Sequence, residues 1–232
     1  MRFLLLLFTL PLFSLQLQDN LEQAKPGDWL VSQFDHTYTV LCIRENRPPV
    51  LIFDEIATPM KQENWREWIT KEAPGSTSWV TYSLDTTSGG VQSCFSHTKN
   101  GWVHIPKVEQ FFATLLKLSF SEIPNNERKK RGRRPLTGVP DRRPMWQPTM
   151  VHEGQVIPDV PFDAYLAAWP DDGSELAGKT VEAYLPQGDA YPAYYPFWLQ
   201  VRGWVGKGTV HMIDSGNGMR SPKPLHQRNT HG

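Results

Sequence analysis

The chain is poor in the residues that announce chemistry. Two cysteines, Cys42 and Cys94, occur in 232 residues, too few for a cysteine-rich zinc site or a disulfide framework. No G-x-S-x-G elbow, H-E-x-x-H pair, C-x-x-C or Walker loop occurs, so the common local signatures of hydrolases, zincins, redox proteins and nucleotide binders are missing. Gly216-x-Gly218 follows the last expected strand with no helix after it, unlike a dinucleotide site. No cofactor is therefore expected. No asparagine stands in an N-x-S/T sequon. Net charge is absent too: 24 basic residues balance 24 acidic ones, so no global field selects nucleic acid or a membrane surface. Beyond the N-terminus no apolar run is long enough to span a bilayer.

What is present begins at that N-terminus. Met1–Leu17 has one arginine followed by a run of apolar residues from Phe3 to Leu15, broken by Thr9, Pro11 and Ser14. A short positive start and an apolar core of this length predict a secretory signal, with Ser14 or Leu17 as candidate cleavage positions. The expected location is secreted, periplasmic or cell-envelope. Export implies an oxidising compartment, where Cys42 and Cys94, both in strand-like runs, could form one disulfide; two buried thiols are the alternative.

Aromatic residues make up 12% of the chain, and they are densest at Tyr191, Tyr194, Tyr195, Phe197 and Trp198. With Pro186, Pro192 and Pro196 among them, this segment reads as a loop. It would be either an aromatic platform for a protein or glycan ligand or a packed corner over a β core. From Trp198 the residues alternate into a hairpin turned at Gly206–Gly208. Val201, Val205, Val210, Met212 and Asp214 share one face; Trp204, His211 and Ile213 share the other. Both faces carry apolar groups, which implies a strand covered on two sides.

The rest reads as β with two amphipathic helices. Strands are expected at WLVSQF, TYTVLCIR and VLIFD, then at 79–84 and 91–98. Thr58-Pro59 should start a short helix with Trp65, Trp68 and Ile69 on one face. Pro106 to Phe120 should be a longer one, with Val108, Phe111, Phe112, Leu115 and Leu116 as its stripe. Asn100-Gly101 favours a two-residue type I′ turn, which would oppose His97 to His104 and offer half of a metal site. The fold class is mainly β (α+β): antiparallel sheets, as a sandwich or partial barrel, with related β units at 25–124 and 146–216. Between them lies a basic connector, 125–145. Over 125–143 it holds eight basic residues and two acidic ones. Arg128, Lys129, Lys130, Arg131, Arg133 and Arg134 are its candidate contacts to an anionic surface. The tail, 217–232, is expected to be disordered.

One short motif bears on catalysis. Met212-Ile213-Asp214-Ser215-Gly216 resembles the apolar-apolar-Asp-Ser/Thr-Gly signature of pepsin and retropepsin aspartic proteases. The resemblance implies a carboxylate sharing a proton with a second one to activate water. It covers five residues and departs at Asn217, and the partial second copy at Leu84-Asp85-Thr86-Thr87 lacks the glycine. The alternative is that Asp214 ends a strand and ties a turn. The sequence thus points to an exported, non-enzymatic binding or envelope-associated β protein using its aromatic loop. A secreted hydrolase using Asp214 and a polyanion-binding protein using the basic connector are the other readings.

Overall fold

The computed structural model describes residues 14–188, 190–203 and 207–226. Trp204, Val205 and Gly206 of the expected hairpin, most of the signal segment and 227–232 of the tail lie outside the described residues.

The protein is mainly β, an α+β fold built on one large antiparallel sheet. In chain order the strands are β1 Trp29–Phe34, β2 Thr37–Arg47, β3 Val50–Thr58, β4 Ser78–Asp85, β5 Val91–Ser96, β6 Gly101–Val103, β7 Ser121–Glu122, β8 Met150–His152, β9 Gln155–Ile157, β10 Phe162–Ala168, β11 Thr180–Pro186, β12 Trp198–Arg202 and β13 Lys207–Gly216. Helix α1 is Trp65–Thr70, α2 is Pro106–Lys117, and a 3-10 turn covers Leu17–Gln23. Eleven strands join in the order β6-β5-β4-β3-β2-β1-β13-β12-β11-β10-β7, while β8 and β9 pair apart. Strands from both sides of the basic segment therefore share a sheet, joined where β1 pairs β13.

Strand alternation gives the sheet two apolar faces. Leu30, Ile43, Leu51, Phe53, Tyr82 and Leu84 point to one cluster, which also holds Leu17, Leu115, Leu116 and Phe120. Val31, Val40, Cys42, Ile56 and Trp79 point to the other, which α1 closes with Trp65, Trp68 and Ile69. Helix α2 touches both halves of the sheet. Phe112 meets Phe53 at 5.9 Å between ring centroids, and Phe111 stacks on Trp169, just after β10, at 5.6 Å. Strands six places apart in the sheet can share one helix because a large twisted sheet curls.

Both helices form where their apolar stripes fall, but with different ends from those expected. Asn64, not Thr58, caps α1: its Oδ1 accepts from the Glu67 amide at 3.0 Å. Thr58 instead closes β3 and accepts from the Met60 amide at 3.2 Å. Helix α2 stops at Lys117, freeing Phe120 to exchange two backbone bonds of 2.9 Å with Leu15.

The tail differs from expectation over residues 217–226. Met219 is buried in the α1 cluster and its amide donates to Gly27 O at 2.9 Å. Arg44 donates to Ser221 Oγ at 2.9 Å and to Lys223 O at 2.6 Å. His226 stacks on Phe95 with centroids 3.7 Å apart. Gly216 permits the approach of this segment to β1, because a β-carbon there would lie 2.6 Å from the Trp29 ring.

Candidate functional site

The outer face of β11, β12 and β13 carries polar groups that a lone sheet face would leave in water. Glu182 of β11 and Gln200 of β12 are only 3% and 4% exposed, because the basic segment folds back over them. Its arms pair with each other: the Trp146 amide donates to Lys129 O at 2.7 Å and the Arg131 amide to Pro144 O at 2.9 Å. The fold-back lays Lys129 and Trp146 on the sheet. A buried carboxylate must be matched by charge or hydrogen bonds, and Glu182 is matched three ways. Lys129 Nζ lies 3.0 Å from one oxygen, Tyr184 Oη donates to the same oxygen at 3.1 Å, and Arg202 binds the other. Gln200 Oε1 accepts from Lys129 Nζ at 3.2 Å and Arg202 Nε at 3.1 Å. Burial and the Glu182 charge push the Tyr184 phenol well above its ordinary pKa, so it remains a donor.

Above this floor opens a cavity of about 1050 Å³ lined by Arg128, Lys129, Lys130, Arg134, Arg143 and Arg202, with Asp141 as its acidic member. Trp146, Trp198 and Tyr184 pack edge to face, with centroids 5.1 to 5.3 Å apart. Lys129 Nζ sits 4.1 Å above the Trp198 ring, which joins the basic segment to the strand by a cation–π contact. Arg143 braces the loop by gripping Asp141 with two bonds of 2.9 Å and donating to Gly132 O at 2.8 Å. The same guanidinium holds the Asp141 carboxyl well below the usual range. Arg134 is exposed and pairs with no carboxylate among the described residues. Guanidinium and ammonium donors around a partly dry floor can hold anionic oxygens. Among the described residues, basic side chains predominate in its lining.

Two sequence candidates thus meet in one place: Trp198 from the aromatic run and the basic residues from the connector. The others are placed differently. Tyr194 and Phe197 are 5% and 1% exposed and belong to the main core. Tyr191 and Tyr195 are half-buried against it. The aromatic run is therefore the packed corner and not an open platform. Arg128 is buried and its donors are spent on Ile123 O, Phe162 O, Glu122 and Asp163; it ties the segment to β10. Arg131 and Arg133 are exposed outside the cavity.

The disulfide candidate is overturned. Cys42 and Cys94 are free and buried in opposite clusters. Three strand spacings separate β2 from β5, roughly 14 Å, well beyond bridging distance. Burial pushes both thiols up to about 12, which makes them inert. The opposed histidine pair is also overturned. Ser96 pairs Gly101 and Phe95 pairs Trp102, so the turn spans four residues. His97 contacts Thr81 Oγ1 at 2.9 Å, and His104 contacts Glu109 at 3.0 Å. The Thr98 and Ser96 hydroxyls, accepting from the Trp79 and Lys99 amides, hold the wider turn.

Asp214 lies on the α1 face, not with Met212, because a bulge pairs Val31 with Asp214 and Ser32 with Met212. Its Oδ1 accepts from the Gly154 and Ser215 amides, both at 2.9 Å. Glu153 lines the same small cavity but is ion-paired with Arg66, unlike a proton-sharing dyad. Ser215 is fully buried and donates to Val151 O at 2.9 Å. Asp214 ties a turn.

Trp146, Glu182, Gln200, Arg202 and Arg143 were missed as site residues. Glu182, a lone acid in the apolar strand TVEAYLP, was the signal that a buried cation would come to it.

No curated protein matches the chain. A solved structure of the hypothetical protein CT021 from Chlamydia trachomatis is similar in fold, with a TM-score of 0.66 at 15% identity over 93% of this chain and 99% of that one. A family model described as CT021 protein matches residues 39–158, which spans β2 to β9 and takes in the whole basic segment. The chain belongs to the CT021 protein family.

Proposed function

We propose that this is a non-enzymatic anion-binding protein whose ligand carries several phosphate or sulfate groups and sits in the basic cavity. One observation carries the reading: cations from a single segment are braced over a buried Glu182 floor, with Arg134 above it paired to no carboxylate among the described residues. The aromatic rings support the floor instead of contacting the ligand, since Lys129 covers Trp198. Recognition is therefore by charge, and affinity should fall steeply as salt displaces it. Calorimetric titration with inorganic polyphosphate, a sulfated oligosaccharide and its unsulfated counterpart tests this. Binding of the anionic probes and not the neutral one is expected, weakening as salt rises. Equal binding of the neutral sugar would point back to aromatic recognition.

Export remains part of the proposal, supported by the apolar run from Phe3 to Leu15. A cleavage position before Leu15 fits the proposal best, because Leu15 pairs with Phe120 and Leu17 is 1% exposed in the core. A cut after Leu17 would remove both. Intact mass of the protein recovered from native cells should correspond to a cut before Leu15; a full-length mass contradicts export with cleavage.

A further inference from the structure

The basic segment displays its apolar residues outward. Between Arg131 and Arg143 the chain forms a loop whose tip carries Leu136 and Val139, 81% and 57% exposed. Leu136 is the most exposed of the large hydrophobic residues described. The loop is braced at its base by the paired arms and by Arg143, and at its tip the Val139 amide donates to Leu136 O at 3.1 Å. Its apolar side chains are thus held out by an ordered backbone. Arg131, Arg133 and Arg142 are exposed on the same loop. None of these five residues lines the anion cavity.

Single exposed apolar residues are ordinary on protein surfaces. A pair at the tip of a braced loop, flanked by arginines, is a different arrangement. Apolar side chains that enter the headgroup layer, with basic residues beside them, are how peripheral proteins grip anionic bilayers. We propose that the loop from Arg131 to Arg143 docks on an anionic lipid surface, with Leu136 and Val139 entering the headgroup layer and Arg131, Arg133 and Arg142 meeting lipid phosphates. A soluble polyanion would engage the arginines and leave both apolar side chains in water. A bilayer accepts a convex apolar tip without needing a matching pocket. The inference rests on the loop surface and stands apart from the cavity reading.

The test places a reporter at the tip. Cys42 and Cys94 are buried, with thiols pushed up to about 12, so an environment-sensitive fluorophore on full-length Leu136→Cys labels the loop alone. Vesicles of phosphatidylcholine with phosphatidylglycerol should brighten and blue-shift the label, and phosphatidylcholine alone should not. In unlabelled protein, Leu136→Asp with Val139→Asp should weaken co-sedimentation with anionic vesicles by about tenfold or more. Arg133→Glu with Arg142→Glu should do the same, each lost arginine counting for about fivefold. All four positions are exposed, and unchanged melting temperatures confirm intact folding. A silent label while the protein still pellets overturns the proposal, since the apolar N-terminus would then be the anchor. Equal label response to neutral vesicles overturns its charge component. A response to a soluble sulfated polysaccharide but not to vesicles reassigns the loop to polyanion capture.

Discussion

Replacing Arg44 by alanine is expected to lower stability by about 3–5 kcal/mol, the cost of orphaning a buried charge, and to loosen the segment around Ser221 and Lys223. Asp54 is fully buried on the α1 face of β3, and Arg44 Nη1 lies 2.9 Å from its Oδ2. Thr81 Oγ1 donates to the other carboxylate oxygen at 2.6 Å. Without the guanidinium the carboxylate keeps one hydroxyl donor in a dry site. The same guanidinium holds Ser221 and Lys223, so the variant also loses its grip on the last described segment. Urea unfolding measures the first effect. Hydrogen exchange at the Met219 amide, protected by Gly27 O, measures the second. A loss below about 1 kcal/mol, the range of a surface pair, would mean that water reaches Asp54.

The second large effect concerns Glu55, on the opposite face of the same strand. It lies between Leu41 and Val80 in the pairing of β2, β3 and β4, with no ion pair or side-chain hydrogen bond among the described residues. Burial raises its carboxyl from 4.5 to about 7. A raised carboxyl keeps its proton in the folded state after the unfolded chain has released it. Stability is therefore greatest below 4.5 and is lost as pH rises through about 7. Glu55→Gln removes this loss. A gain of roughly 2–3 kcal/mol is expected near pH 8 and almost none near pH 4, since a tenfold change in proton affinity is worth about 1.4 kcal/mol. His97 and His211 are held below their ordinary value by burial, so their contributions run the other way, weakening the fold as pH falls through their unfolded value. Comparing variant with parent at each pH isolates Glu55. An unchanged difference across that range would show that the carboxylate is solvated in the folded protein.

Periodicity carried the fold a long way. Alternation in β12 and the stripe of α2 named residues that pack into the main core. The strands expected at WLVSQF and TYTVLCIR form as β1 and the first part of β2. The displaced hairpin at β12 and β13, paired from Arg202↔Lys207, keeps Val201, Val210 and Met212 together on the main core, because its shift is even. The misses share a cause: each depended on a partner distant in sequence. Asp214 changed face through a bulge set by β1. The His97–His104 pairing failed because two hydroxyls held a wider turn. The disulfide failed because Cys42 and Cys94 lie on opposite faces of strands whose order was unknown.

The site was half legible for the same reason. The basic run and Trp198 could be read separately, one as charge and one as aromaticity. Their meeting required Lys129 to reach Glu182, 53 positions away in sequence, and local pattern says nothing about such a contact. Arg128 shows the converse. It counted as one more charge in a basic run, yet its donors hold β10 and the segment together. Charge in a sequence therefore overstates the charge available to a ligand.

The most direct measurement is calorimetric titration of inorganic polyphosphate, at low salt, into the parent protein and into Arg134→Glu with Lys130→Gln. Both positions line the cavity, and neither touches the Glu182 floor. Hydrogen bonds to charged groups are each worth about 1.5–3 kcal/mol, so a loss of about a hundredfold or more in affinity is expected, with the melting temperature unchanged. Affinity within about threefold of the parent, a difference below about 1 kcal/mol, would contradict the assignment of the cavity as the anion site.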